Sequence, residues 1–336
     1  MSRTEVPKFG LVQAQSVQDA INLLSQYGAG NARIIAGGTD IITGMKNKIA
    51  QYTPQYLIDI SGLSLDYVNQ DSGGVHIGAT TKISDVVNNT AVNSAAPLLA
   101  AAAGSVATLQ LRNNGTIGGD TLQQVWCPYL RNNYDCWRNG GNVCYGAIGD
   151  NRYYHSIFGG RLCYAVHAGD IAPALSALNA TATIQGPLGT RTISMDQLFP
   201  GISVIGGRVQ EHTVDYNEVL TEFFVPNSPS GTKSGWYKVR DRGTWDFALA
   251  SAAVTVQMSG SNVSNASVVL GGVDVVPHRA SAAESYLNGK SLSEDTYAGA
   301  ASAAVQDATP LTYGLGNAYR VDLAKGAVIN ALRGLA

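Results

Sequence analysis

An α+β protein of more than one domain is what this sequence predicts, and three observations carry that expectation. Its 336 residues exceed what one hydrophobic core ordinarily serves, so two or three domains are expected. Glycine-rich turns stand at Gly37-Gly38 and again at Gly115 to Gly119, the first between a strand pattern and a helix pattern. The tract Asn227-Ser228-Pro229-Ser230-Gly231 then separates a C-terminal stretch in which strands precede helices.

Composition narrows the class. A hydrophobic share of 45% with only 14% charged residues suits a chain that buries much surface. A net charge of −2 without any Lys/Arg block argues against nucleic acid and anionic membrane as partners. No run approaches the roughly 20 apolar residues of a membrane span, and Met1 to Phe9 lacks the apolar core of a secretory signal. The expected compartment is therefore the cytoplasm, or the periplasm if a signal-bearing partner carries the folded chain across.

Along the chain, Val17, Ala20, Ile21, Leu24 and Tyr27 recur at helical spacing after Ser16, and Gly28 occupies the position of a helix-ending glycine. Arg33-Ile34-Ile35-Ala36 reads as a buried strand running into Gly37-Gly38-Thr39-Asp40, after which Ile41, Ile42 and Met45 suggest a helical turn. Such a turn presents backbone N–H groups to phosphate, although a plain tight turn is the commoner occurrence of GGTD. Further strands are expected at Tyr56–Ile60 and Val75–Ala79, with Ser84 capping a helix through Val86 and Val87. A small-residue helix is expected over Ala95–Gly104. Asp170 reads as the N-cap of a helix from Ile171 to Leu178, followed by strands at Thr181–Gln185, Thr190–Ile193 and Glu222–Val225. Beyond the linker come strands at Trp236–Arg242, Phe247–Met258 and Val268–Val273, then helices over Asp295–Asp307 and Asn317–Leu335.

All four cysteines, Cys127, Cys136, Cys144 and Cys163, fall within 37 consecutive positions. No Cys-x2-Cys pair occurs, so neither a zinc ribbon nor a ferredoxin run is matched. Clustering without an outlier favours a shared metal centre. Iron–sulfur, zinc, and structural or disulfide cysteines all remain open on the residues alone, with the Asn- and Gly-rich loops leaning towards iron–sulfur.

Several motifs in order carry a family resemblance: Ala36-Gly37-Gly38-Thr39-Asp40, then Leu111-Arg112-Asn113-Asn114-Gly115-Thr116-Ile117-Gly118-Gly119. Asp170, Lys238-Val239-Arg240, Phe247-Ala248, Leu270-Gly271-Gly272-Val273 and Pro277-His278-Arg279-Ala280 follow. Nearly end to end, the chain resembles the FAD-binding medium subunits of the molybdenum hydroxylases, the group of xanthine dehydrogenase, carbon monoxide dehydrogenase and aldehyde oxidoreductases. The resemblance implies a PCMH-type FAD-binding domain of two α/β subdomains, over 1–62 and 63–226. It also implies a C-terminal α+β domain of the CO dehydrogenase flavoprotein type over 232–336. The stretch of about 123–166 is extra to most such subunits. Trp126-Cys127-Pro128-Tyr129-Leu130-Arg131, Gly149-Asp150-Asn151-Arg152-Tyr153 and Cys163 resemble a subclass, including periplasmic-type aldehyde oxidoreductases, whose FAD subunit carries a [4Fe–4S] cluster.

By that resemblance Ile34, Ile35, Ala36, Gly37, Gly38, Thr39, Asp40 and Ile41 hold the FAD pyrophosphate, and Thr116, Gly118, Gly119, Asp120 and Thr121 lie near it and the ribityl chain. Asp170 matches a ribityl-binding carboxylate and Lys238 a lysine near the cofactor, with a plain N-cap and a solvated strand position as their alternatives. The family commonly has Asn where Asp120 stands. The four cysteines are implied as the cluster ligands, and His155 and His167 are weaker metal candidates. Aromatic residues from Trp126 to Tyr154 are expected to shield the cluster loops. No residue is expected to act as acid, base or nucleophile. The implied partners are a large molybdenum-cofactor subunit, a small [2Fe–2S] subunit and an electron acceptor. A self-sufficient FAD oxidoreductase and a zinc-stabilised assembly subunit are the competing readings.

Overall fold

A computed structural model of the chain describes residues 5–49, 53–160, 162–205 and 208–335. The expectation drawn from Met1–Phe9 falls partly on residues 1–4, outside the described set. Among the described residues no helix is long and apolar enough to cross a membrane.

Three strands, β1 (Gly10–Gln13), β2 (Ala32–Ile35) and β3 (Tyr56–Asp59), form a parallel sheet in the order β1-β3-β2. Parallel neighbours need crossovers, and a helix supplies each one. The first, Val17–Tyr27, starts where the Ser16 hydroxyl accepts the Asp19 N–H at 3.0 Å and ends at Gly28, φ +81°. Its Ile21 and Leu24 are buried against Ile58 of β3, a contribution of about 1.5–3 kcal/mol for each such side chain. The second helix, Ile41–Lys46, follows the Gly37-Gly38 turn at the C-terminal end of β2.

The next sheet contains β4 (Val68–Gln70), β5 (Gly74–Gly78), β6 (Thr181–Gly186) and β7 (Gly189–Ser194). After a hairpin of β8 (Ser203–Ile205) and β9 (Arg208–Gln210), β10 (Val219–Pro226) enters its centre, giving the antiparallel order β4-β5-β10-β6-β7. Alternating burial along β6 and β10 turns Ala182, Ile184, Phe223 and Val225 onto helices Pro97–Gly104 and Ile171–Ala177.

The C-terminal sheet is antiparallel: β11 (Thr232–Val239), β12 (Ala250–Ser259), β13 (Asn262–Gly271) and β14 (His278–Arg279). Helix Tyr319–Arg333 lies so close to β11 that a Cβ on Gly235 would stand 2.0 Å from the Ala331 carbonyl oxygen.

The α+β class stands. Some local expectations are corrected. Pro97 takes the first position of its helix, so the 95–104 pattern breaks at Ala96 and a separate helix, Thr90–Ala95, precedes it. Lys82, not Ser84, occupies the N-cap of Ile83–Asn88. Helix Ser281–Leu287 was not anticipated from the sequence. Asp170 does stand before Ile171, but its side chain makes no capping bond. The carboxylate that accepts the Ile171 N–H, at 3.0 Å, is Asp120.

Candidate functional site

The two glycine turns meet. A Cβ on residue 37 would lie 2.0 Å from the Asn114 carbonyl oxygen, so only glycine permits the approach, and Gly38 adopts φ +71°. The backbone N–H groups of Gly37, Gly38 and Thr39 have no hydrogen-bond partner among the described residues. They border a cavity of about 290 Å³. Buried or half-buried N–H groups without partners are uncommon in a finished fold, and a phosphate is the ligand that satisfies several at once. The second turn contributes shape rather than donors. Its Ile117, Gly118 and Gly119 N–H groups are taken by Thr81 O, Ala79 O and Thr116 Oγ1.

Of the expected contacts, Ile34 through Ile41, Thr116, Gly118 and Gly119 line this cavity. Asp120, Thr121, Asp170 and Lys238 do not, and form a buried group of their own. Lys238 Nζ meets Asp170 Oδ2 at 2.5 Å and also donates to Ser105 O, so the lysine is not a solvated strand residue. Thr121 turns its hydroxyl onto Ile117 O. Burial, and secondarily the Asp170 charge, pushes the Asp120 carboxyl up to about 7.

Lining the same cavity is a wall that sequence motifs did not reveal, from Val209 in β9 to Tyr216 in the loop after it. Glu211 in this wall is buried; burial, the largest influence, raises its carboxyl, and Arg138, His212 and His167 together outweigh that and leave it below the usual range. No sequence signal marks either residue: Glu211-His212 sits in no motif, and Arg138 is one basic residue among cysteines. Asp40 is held by the cysteine-bearing segment, its carboxylate accepting from Arg131 Nη1 at 2.8 Å and from the Gln124 N–H at 2.9 Å.

The four cysteines come together. All are free thiols, three of them buried, and all line one small cavity next to Tyr129, Trp137 and Tyr145. Cys127, Cys136 and Cys144 each stand at the N-cap of a short helical turn. No backbone N–H caps these sulfurs, but several lie near enough to offset part of the upward push of burial on the thiols: Leu130 and Tyr129 at Cys127, Arg138 and Asn139 at Cys136, Tyr164, Ala147 and Gly146 at Cys144. The fourth thiol, Cys163, receives Arg138 Nε at 3.1 Å. Burial holds Cys127 up at about 12, so metal uptake here displaces protons. Among the described residues no three His, Cys, Asp or Glu side chains are grouped as for a single metal ion. His155 lies beside the thiols, a ring nitrogen 3.5 Å from Cys127 Sγ, and burial with the Arg320 charge pushes its ring down to about 4, hence neutral. His167 is elsewhere, its ring bonded to Thr121 O and the Gly169 N–H. Tyr129, Tyr134 and Tyr145 pack ring to ring over the loops, with Tyr134 and Trp137 partly open to solvent.

Comparison with known proteins extends these observations. Residues 7–228 match the family model for the FAD binding domain in molybdopterin dehydrogenase, and residues 235–335 match that for the CO dehydrogenase flavoprotein C-terminal domain. The carbon monoxide dehydrogenase medium chain of Hydrogenophaga pseudoflava is 32% identical over 97% of this chain and 96% of its own length. The aldehyde oxidoreductase FAD-binding subunit PaoB of Escherichia coli is 34% identical, over 79% of this chain and 82% of its own. The glyceraldehyde dehydrogenase medium chain of Sulfolobus acidocaldarius is 30% identical over 98% and 99%. In three dimensions the chain superposes on a solved carbon monoxide dehydrogenase of Hydrogenophaga pseudoflava with a TM-score of 0.77, 30% identity and 98% of each chain covered.

Proposed function

This chain belongs to the FAD-binding subunits of the molybdopterin dehydrogenases, oxidoreductases built from several subunits, and from that premise we propose that it is the FAD- and iron–sulfur-containing electron-transfer subunit of a molybdenum-dependent hydroxylase of the aldehyde oxidoreductase or xanthine dehydrogenase type. In this reading substrate is oxidised on a large partner subunit holding the molybdenum cofactor. Electrons come from [2Fe–2S] clusters of a small partner and leave to an external acceptor.

The observation that carries the flavin assignment is the row of unpartnered N–H groups at Gly37, Gly38 and Thr39 on the 290 Å³ cavity. These residues would hold the pyrophosphate, with Thr116, Gly118 and Gly119 shaping the opposite turn. Bound FAD supplies the electron-accepting and electron-donating chemistry that side chains lack. Asp170 and Lys238, paired and buried behind the second turn, fix the backbone between it and the C-terminal sheet. Any contact they make with the cofactor goes through that pair.

For the cysteines we favour a [4Fe–4S] cluster. Four free thiols ring one cavity, a set of soft ligands suited to an iron–sulfur cluster. Backbone N–H groups near the sulfurs and a guanidinium bonded to one of them are the surroundings that stabilise cluster thiolates. Purification of the chain with its co-expressed partners tests the assignment. The complex is expected to oxidise an aldehyde or purine with an artificial acceptor while the isolated chain is inactive. Turnover by the isolated chain would select a self-sufficient flavin oxidoreductase instead.

A further inference from the structure

Among the described residues Arg138 alone lines both the cavity of the glycine turns and that of the cysteines. It is 2% exposed. Its Nε reaches Cys163 Sγ at 3.1 Å, and its Nη1 reaches Val209 O at 3.1 Å and Glu211 Oε2 at 2.8 Å. Its Nη2 is buried without a hydrogen-bond partner. A second arginine of the same segment, Arg131, grips the facing wall through Asp40, Nη1 to Oδ1 at 2.8 Å, and is tied back to Gln124 O by Nη2 at 2.8 Å. Cys127, Cys136 and Cys163 share one apolar core with Ile41, Met45 and Val209, so the two sites are also packed together.

We propose that the cysteine segment clamps the flavin cavity through Arg138 and Arg131, so that loading the four-cysteine centre tightens flavin binding. The proposal rests on the two site assignments above. The physical step is at Cys163. A neutral thiol is a weak acceptor, whereas a metal-held thiolate makes a charge-assisted bond to the guanidinium. A rigid planar cation that is fixed at one edge fixes what its other edge holds, here Val209 O and Glu211. Buried charge cannot simply swing into solvent to relax. Coupling of this kind is reciprocal, so flavin in turn secures the metal centre.

A double-mutant cycle on the co-purified complex, read as FAD affinity after deflavination together with iron content, tests the clamp. Cys163→Ser is expected to weaken FAD about tenfold in the parent but less than about twofold in an Arg138→Gln background, because the route is already cut. Arg138→Gln alone is expected to keep its iron while binding FAD more weakly, with Arg138→Lys between it and the parent. An equal effect of Cys163→Ser in both backgrounds, or none in either, overturns the proposal. If Arg138→Gln does not fold, Arg138→Gln with Glu211→Gln replaces it, since that pair leaves no buried charge unpartnered. If Cys163→Ser does not fold, iron removal and reconstitution of the parent replaces it. Absence of iron from the parent refutes the cluster assignment separately, and an unchanged FAD affinity in Arg138→Gln then still refutes the clamp.

Discussion

Two residues show what single positions do here. At Gly37 the neighbouring turn's carbonyl occupies the space of a side chain, 2.0 Å from a would-be Cβ. Gly37→Ala must therefore push the turns apart, and we expect at least about tenfold weaker FAD binding with a stability loss of about 1–3 kcal/mol, read by flavin titration and denaturant unfolding. Retention of parental affinity would show that the N–H row is not the phosphate site. Glycine at this place was legible in the sequence because few other residues serve a tight turn. The role of Asp120 was not, since it is set by a contact 51 positions away, with the Ile171 N–H. Its folded-state carboxyl, at about 7, lies above the roughly 4 of an unfolded chain, so the folded state holds the proton more tightly. Asp120's favourable share of stability is thus complete below about pH 4 and is lost as pH rises through about 7. Asp120→Asn keeps an oxygen for Ile171 and sheds the charge. It should melt above the parent at about pH 8, with the gap closing near pH 5. A gap independent of pH would mean that Asp120 titrates as an exposed carboxylate.

At the scale of elements, strands and long helices followed their periodicities, because apolar alternation and 3.6 spacing are local signals. Helix Val17–Tyr27 begins and ends where Ser16 and Gly28 place it. The segment from about 123 to 166 was legible by its cysteines and two short motifs, Trp126–Arg131 and Gly149–Tyr153, but not by any periodicity. Its short turns are held by long-range contacts that no window of sequence contains, above all those of Arg320 on helix Tyr319–Arg333. This fully buried guanidinium bonds the carbonyls of His155, Leu249 and Gly272, joining the segment to the C-terminal sheet. Arg320→Met leaves the buried Leu249 and Gly272 carbonyls without a donor, while His155 O keeps Asn317 Nδ2, and should cost about 3 kcal/mol or more in urea unfolding. A loss below about 1 kcal/mol would show that the junction is held by packing instead.

For the molecule as a whole, the sheets and the segment between them bring the glycine-turn cavity and the cysteine cavity side by side. The family assignment was legible because its glycine motifs recur in order along nearly the entire chain. What lay beyond sequence reasoning was the contact between the sites: Val209 to Tyr216 as the second wall, and Arg131 and Arg138 reaching from the cysteine segment to both walls. That arrangement changes the expected role of the segment. It is keyed through Arg131 and Arg138 into the cavity proposed for flavin. The most direct measurement is the cofactor content of the purified protein, by visible absorption with iron, sulfide and zinc analysis. The account predicts about one FAD, about four iron atoms and matching labile sulfide per chain, without zinc. Zinc in place of iron, or a colourless protein with neither flavin nor iron, would contradict it.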